Sequence, residues 1–239
     1  MSQEFDTLIS YIKKMEDRYF FALSAFYLYE ALREEIAPNI VGQETAEKNV
    51  EVFKTFNEVF SPSKEALRVY FFIELAKLFD VSDQSLHITK VVNYSESNIS
   101  KLTAKDFAEY DQSREFINNL IENYQGVKPE DLVIVRAEIE KNKNLIKKIK
   151  DYRDQYLAHD DINKVEITIN GEEIRVLFGL LEKILNTFSS KLASTTSLYD
   201  HVERDAKWKT KMLFDYLKRF EPYRLKEINE QYQKDIAKH

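Results

Sequence analysis

The chain has 239 residues, 44% of them hydrophobic, with four Gly, four Pro, four His, no Cys and a formal net charge of −6. So few turn-forming residues in so apolar a chain point to an ordered, mostly helical protein rather than a disordered or turn-rich β one. The lack of cysteine excludes disulfides and thiolate chemistry, and the dispersed histidines argue against a zinc site, so neither metal nor cofactor is expected. The start, MSQEFDTLISYIKKMEDRYF, has no basic stretch followed by an apolar run. No segment reaches the roughly 18 apolar residues that would span a membrane. A cytoplasmic protein with no membrane partner is the expectation.

Taken in chain order, apolar residues recur at helical spacing from about Phe5 to Ile36 and from about Glu44 to Phe60. Ser61-Pro62-Ser63 reads as a stop for one helix and a cap for the next. Lys64 to Phe79 carries Leu67, Tyr70, Phe71, Ile73, Leu75 and Leu78 almost all round, the pattern of a central core helix. Asp80 to Ser85 breaks it, and a helix follows from about Leu86 to Tyr94. Ser95 to Asp111 reads as a polar connection with a short helix inside it, and Phe116 to Tyr124 as a further helix closed by Gly126 and Pro129. The longest pattern runs from Pro129 to about Leu157. Val165 to Gly171 alternates and ends in Asn-Gly, which allows a short β-hairpin near 164–176. Ile174 to Phe188 returns to helical spacing, and Leu198 to Ala237 reads as a basic helical stretch interrupted at Pro222. The expected architecture is all-α: a helical domain over 1–196 and a basic C-terminal extension over 197–239 packed on it.

The charges are unevenly placed. Arg136 to Arg153 holds seven basic residues against three acidic ones, a net of +4, and Arg204 to His239 holds ten against six, again +4, which leaves −14 for the rest. A polyanion would be steered to those two regions. The plainer alternative is that lysine-rich helices are solvated faces. Within the first region Lys143, Lys147 and Lys150, spaced by four and three, share one helix face and can guide an RNA backbone.

That region delivers Arg153-Asp154-Gln155-Tyr156-Leu157-Ala158-His159. Arg supplies a permanent planar cation able to hold a phosphate bidentately, and His the side chain that titrates near neutrality. On the long helix Ile139, Ile146, Ile149 and Tyr156 form the buried stripe, and Arg153 falls on it, seven residues after Ile146. An arginine there must meet a carboxylate, reach a cleft or face a subunit interface. Six residues along a straight helix turn through about 600°, which leaves Arg153 and His159 roughly 120° apart. Either the helix ends near Leu157, or each residue works with its counterpart across a two-fold axis. His159 also suits a helix C-terminus, where the backbone dipole favours a cation.

This segment, polar directly after the Arg and small before the His, resembles the Arg-(four to six residues)-His signature of the HEPN superfamily. The run Ala66 to Asp80, Gln84-Ser85-Leu86-His87-Ile88, and Ala158-His159-Asp160-Asp161 are similar to HEPN proteins of the abortive-infection, AbiU-like type. The resemblance spans about Tyr19 to Phe188. The chain departs from the commonest version in having Asp154 where Asn is frequent, and in lacking a Tyr two residues after the His, which speaks against the subgroup paired with nucleotidyltransferase antitoxins. The resemblance implies a HEPN helical bundle and a homodimer acting as a metal-independent endoribonuclease, a toxin or anti-phage effector with RNA as substrate and an antitoxin or regulatory protein as a further partner. It also implies His159 as the group moving protons, Arg153 as the phosphate-stabilising cation and Asp154 as the residue orienting one of them. The rival reading is a non-catalytic module of the same fold that dimerises or grips RNA or protein, with Arg153 in a salt bridge; an unrelated helical interaction protein is a third. An open, lysine-lined cleft bringing Arg153 and His159 of two chains together favours the nuclease, and an occluded Arg153 paired with Asp or Glu favours the module.

Overall fold

A computed structural model describes the chain over residues 2–82, 84–158 and 166–237. It is all-α, with no strand among the described residues. In order come α1 (Gln3–Glu34), α2 (Pro38–Val41), α3 (Gln43–Thr55), α4 (Asn57–Leu78), α5 (Ile88–Asn98), a 3-10 turn (Ile99–Lys101), α6 (Ala104–Tyr110), α7 (Ile117–Glu122), α8 (Pro129–Lys141), α9 (Lys143–Tyr152), a π-helical turn (Arg153–Ala158), α10 (Gly171–Ala193) and α11 (Asp200–Ile236). None of these helices is long and apolar enough to cross a membrane. The chain divides into two compact units, Met1–Leu23 with Val69–Tyr199, and Ser24–Arg68 with Asp200–His239.

In the first unit α1 buries Phe5, Leu8, Ile12, Met15 and Tyr19, alternating steps of three and four that keep one stripe inward. From α4 come Phe71, Leu75 and Leu78, from α5 Ile88, Val91 and Val92, and from α10 Leu177, Leu181, Ile184, Leu185 and Phe188, all buried. Tyr19 meets Phe178 and Tyr199 edge-on, with ring centres 5.8 and 4.7 Å away. Polar ties fix the helices around this core. Arg18 Nε donates to Glu74 Oε2 at 2.8 Å and its Nη1 to the Leu86 carbonyl at 2.8 Å, joining α1 to α4 and to the approach of α5. Arg136 pairs with Glu96 at 2.7 Å, Lys183 with Glu138 at 2.8 Å, and Lys148 with Glu173. These hold α8 to α5 and α10, and α9 to α10.

The second unit has a core of Leu32, Val52, Phe60 and Phe214, with Phe53, Phe56, Leu67 and Leu217 packed on it. Phe60 stacks between Phe53 and Phe214 at 5.1 and 5.4 Å. The buried Asn49 amide donates to the Glu35 carbonyl at 2.7 Å and to its carboxylate at 2.8 Å. It thereby satisfies a backbone acceptor just past the end of α1 that would otherwise be orphaned.

Three boundaries differ from the sequence expectation, each for a physical reason. Ser61-Pro62-Ser63 does not separate two helices: the break lies at Phe56 (φ −115°, ψ 33°) and α4 runs through Pro62. Proline costs one hydrogen bond there, near the start of the helix, while Phe60 two residues earlier is held in the core. Pro222 likewise lies inside α11 and does not interrupt it. The long pattern from Pro129 is two helices, parted at Asn142, whose side-chain amide donates to the Glu138 carbonyl at 2.9 Å and so competes with the helical ladder.

The hairpin expected near 164–176 is also corrected over 166–176; residues 164 and 165 lie outside the described residues. Glu166 to Asn170 carry no strand, and residues 171–176 are the first turns of α10. Asn-Gly serves as a helix start instead of a hairpin turn. Asn170 Oδ1 accepts from the Glu173 N–H at 2.9 Å, and Glu173 Oε2 accepts from the Asn170 N–H at 2.9 Å, a reciprocal capping box that offers this polar pair more than an isolated two-strand ribbon can. Asn170→Ala is therefore expected to lower stability by about 1 kcal/mol, and Asn170→Gly by only a few tenths. Urea denaturation followed by circular dichroism reads the difference.

Candidate functional site

Ile146 and Ile149 anchor α9 by their burial, and Arg153 follows on the same stripe as its C-terminal cap. The helix then widens into the π-helical turn Arg153–Ala158. Wide turns of this kind are rare and concentrate at functional sites. An aromatic ladder supports this one: Phe72 lies 4.6 Å from Tyr152, and Tyr152 stacks on Tyr156 at 5.0 Å with planes 19° apart.

The Arg153 side chain is 16% exposed, and two carboxylates meet it. Nε donates to Asp154 Oδ1 at 2.7 Å and Nη1 to Asp80 Oδ2 at 3.3 Å. Asp80 stands just past the end of α4 and is shared: its Oδ1 lies 3.4 Å from Lys150 Nζ and accepts the Val81 N–H at 2.9 Å. Burial pushes the Asp80 carboxyl upward, but the Val81 N–H, Lys150 and Arg153 together outweigh it and hold the group below its ordinary value. The hydrogen bond that Arg153 donates to Asp154 pushes the guanidinium pKa up, against the opposing effect of burial and with further help from Asp80. Arg153 thus remains a cation at every pH of interest.

Beside this cluster lies a groove of about 360 Å³. Phe79, Val81, Ile88, Ile139 and Ile146 give it an apolar lining, and Lys143, Lys147 and Lys150 line it together with Asp151 and Asp154. Lys143 pairs with Glu140 and Lys147 with Asp151, partners three and four residues apart and open to solvent. Exposed pairs of that kind are worth about 0–1 kcal/mol, so a polyanion can displace them. The structure places the three lysines along α9 and Arg153 and Asp154 at the start of the turn that follows it, with the lysines and Asp154 on the same groove. His159 lies outside the described residues.

Sequence reasoning missed Asp80 and Tyr152. Asp80 is 73 residues from Arg153 and reads only as a helix breaker, although it closes the Ala66 to Asp80 run that carries part of the HEPN resemblance. Tyr152 was legible as an aromatic one turn before Tyr156, with no sign of what it would meet.

A model of the AbiU2 family, HEPN_AbiU2, matches residues 5–210. The chain belongs to the AbiU2 family of HEPN proteins. No curated protein and no solved structure matches it. Membership makes this an abortive-infection HEPN protein, and the all-α fold agrees with that. The AbiU2 match takes in all of α9 and the π-helical turn and stops within α11, short of its last 26 residues.

Asp80 links ionisation to stability in this AbiU2 protein. A carboxyl whose folded value is depressed contributes stability above its unfolded value, near 3.9, and loses it as the pH falls through the folded value. Asp80→Asn is expected to cost about 1–3 kcal/mol at neutral pH, since it leaves Lys150 and Arg153 facing each other without their shared counter-charge. The gap to the wild type should narrow below about pH 4, where the native carboxyl is protonated as well. Denaturant midpoints for both proteins across that range provide the check.

Proposed function

We propose that the chain is a metal-independent endoribonuclease of HEPN type, built as a homodimer in which two Arg153/His159 elements share one cleft. The observation that carries this reading is the placement of Arg153, on a π-helical turn beside a lysine-lined groove, in a chain of the AbiU2 family. In this mechanism His159 takes the proton from a ribose 2′-OH, and the oxygen attacks the adjacent phosphorus. The bond to the 5′-oxygen breaks, and His159 of the partner subunit gives that oxygen a proton. The products are a 2′,3′-cyclic phosphate and a 5′-hydroxyl. Arg153 stabilises the charge that builds on the phosphate oxygens, with Asp154 and Asp80 fixing its plane. A guanidinium has five N–H donors in a rigid fork, so one that engages two carboxylates retains donors for a phosphate. Lys143, Lys147 and Lys150 guide the RNA backbone toward the cleft. In the cell the activity serves abortive infection as a toxin or anti-phage effector, held in check by an antitoxin or regulatory protein.

One observation favours the second reading, a non-catalytic HEPN module that dimerises or grips RNA or a partner protein. Arg153 is mostly covered and held by two carboxylates, as a purely architectural ion pair would be. Cleavage of a labelled RNA in excess EDTA separates the two readings. The wild type should cut it, leaving cyclic phosphate ends, while His159→Ala and Arg153→Ala should each lose about 10²–10⁴-fold in rate with the dimer mass in solution unchanged. Intact RNA with the wild type, or equal cutting by all three, favours the module.

A further inference from the structure

The surface of α11 poses a separate question. Trp208, Tyr216, Phe220 and Tyr223 are all exposed, with Trp208 at 55%, Tyr216 at 57% and Tyr223 at 67%. At about 100° per residue these four, together with Lys209 and Arg219, fall within roughly 120° of the helix circumference. Thr210 and Phe214, which are buried, lie on the other side. The rings are therefore not the edge of the core. They form a stripe facing away from it, about 22 Å long at 1.5 Å per residue.

The cations on the stripe are placed on the rings. Lys209 Nζ lies 4.5 Å from the Trp208 ring centre, and the Arg219 guanidinium 5.8 Å from that of Tyr216. Neither makes an ion pair among the described residues, whereas Lys207, Lys218 and Arg224 on the same helix are each neutralised by a carboxylate. Positive charge is thus left where the flat apolar faces are, in a segment that carries a net +4 from Arg204 onward.

We propose that this stripe of α11 is a binding platform for single-stranded RNA, distinct from the groove beside α9. Exposed rings spaced along a helix and interleaved with cations stack on successive bases and track the phosphates between them, which is the chemistry of sequence-tolerant single-strand recognition. A second copy of the chain fits less well. Antiparallel pairing of two such stripes would set Lys209 of one copy near Arg219 of the other, like charges, while the neighbouring carboxylates Asp205 and Asp215 are already engaged by Arg204 and Lys218. An acidic protein would satisfy the cations and leave the rings without planar partners. The platform stands whether or not the chain cleaves RNA.

The chain has one tryptophan, so its emission reports on this stripe alone. The probe is a 2′-O-methyl oligouridylate, which lacks the 2′-hydroxyl needed for cleavage and keeps this test independent of the proposed nuclease. Titrating it into the wild type should quench Trp208 saturably. Tyr216→Ala and Tyr223→Ala, both at exposed positions, should each weaken binding roughly 5- to 150-fold, the range expected for losing one stacked base. Replacing Lys209 and Arg219 together by Glu should reduce the slope of log affinity against log salt by at least about 1.4, from two lost phosphate contacts on a single strand. Absence of quenching, equal binding by the Tyr variants, or equal quenching by polyglutamate would overturn the platform. So would a concentration-dependent rise in mass that the Tyr variants abolish, which would assign the stripe to a second copy.

Discussion

Arg153 occupies a helix position whose neighbours on the same stripe, Ile146 and Ile149, are buried, and a cation that is 16% exposed requires a counter-charge. Asp80 provides it from the residue range just after α4, and the same carboxylate also faces Lys150 and accepts the Val81 N–H. One side chain therefore sets the end of α4, the last turn of α9 and the start of the π-helical turn with respect to each other. Asp154 completes the arrangement from inside that turn. The groove beside α9 draws its lining from the same places, with Phe79 and Val81 flanking Asp80 and the lysines projecting from α9. The electrostatic requirement of a single guanidinium thus accounts for much of the local architecture.

Much of this was legible in the sequence, because helical periodicity is a local property. The stripes of α1 and α10, the inward Ile146 and Ile149, and the short helix between Ser95 and Asp111 follow from spacing alone. What spacing failed to give was the outcome of competitions between local signals and tertiary burial. Pro62 and Pro222 look like breaks, yet each is carried inside a helix. Asn170-Gly171 suits a hairpin turn and a helix start equally well in isolation, and the capping box with Glu173 decides between them. For the site, Arg153 and the three lysines could be placed on their faces in advance, but Asp80 could not, since nothing local to it announces a partner 73 residues away.

The charge distribution separates two kinds of cation. Many of the ion pairs join residues three or four apart on exposed helix surfaces, such as Lys48 with Glu44 and Lys54 with Glu51, and stabilise their own helix slightly without committing the surface to anything. The cations that matter are those whose neighbours are not simple helical counter-ions. Some of these, such as Arg18 with Glu74 and Arg136 with Glu96, tie one helix to another; others lie at the candidate sites, Lys150 and Arg153 around Asp80 in the first unit and Lys209 and Arg219 over aromatic faces in the second. An overall charge of −6 conceals both.

The passage of α11 through Pro222 has a consequence for how that helix behaves in time. Proline has no N–H, so the carbonyl of Lys218 receives no bond from the residue four positions on, and the hydrogen-bond ladder lacks one rung there although the helix keeps its course. Upstream, Phe214 ties the helix into a core, whereas from Leu225 to Ala237 every residue is exposed. With no burial to hold them and one rung fewer behind them, the turns beyond Pro222 open at less cost than the turns anchored by Phe214. α11 is one helix in shape, and its exposed C-terminal stretch is the part that the core holds least.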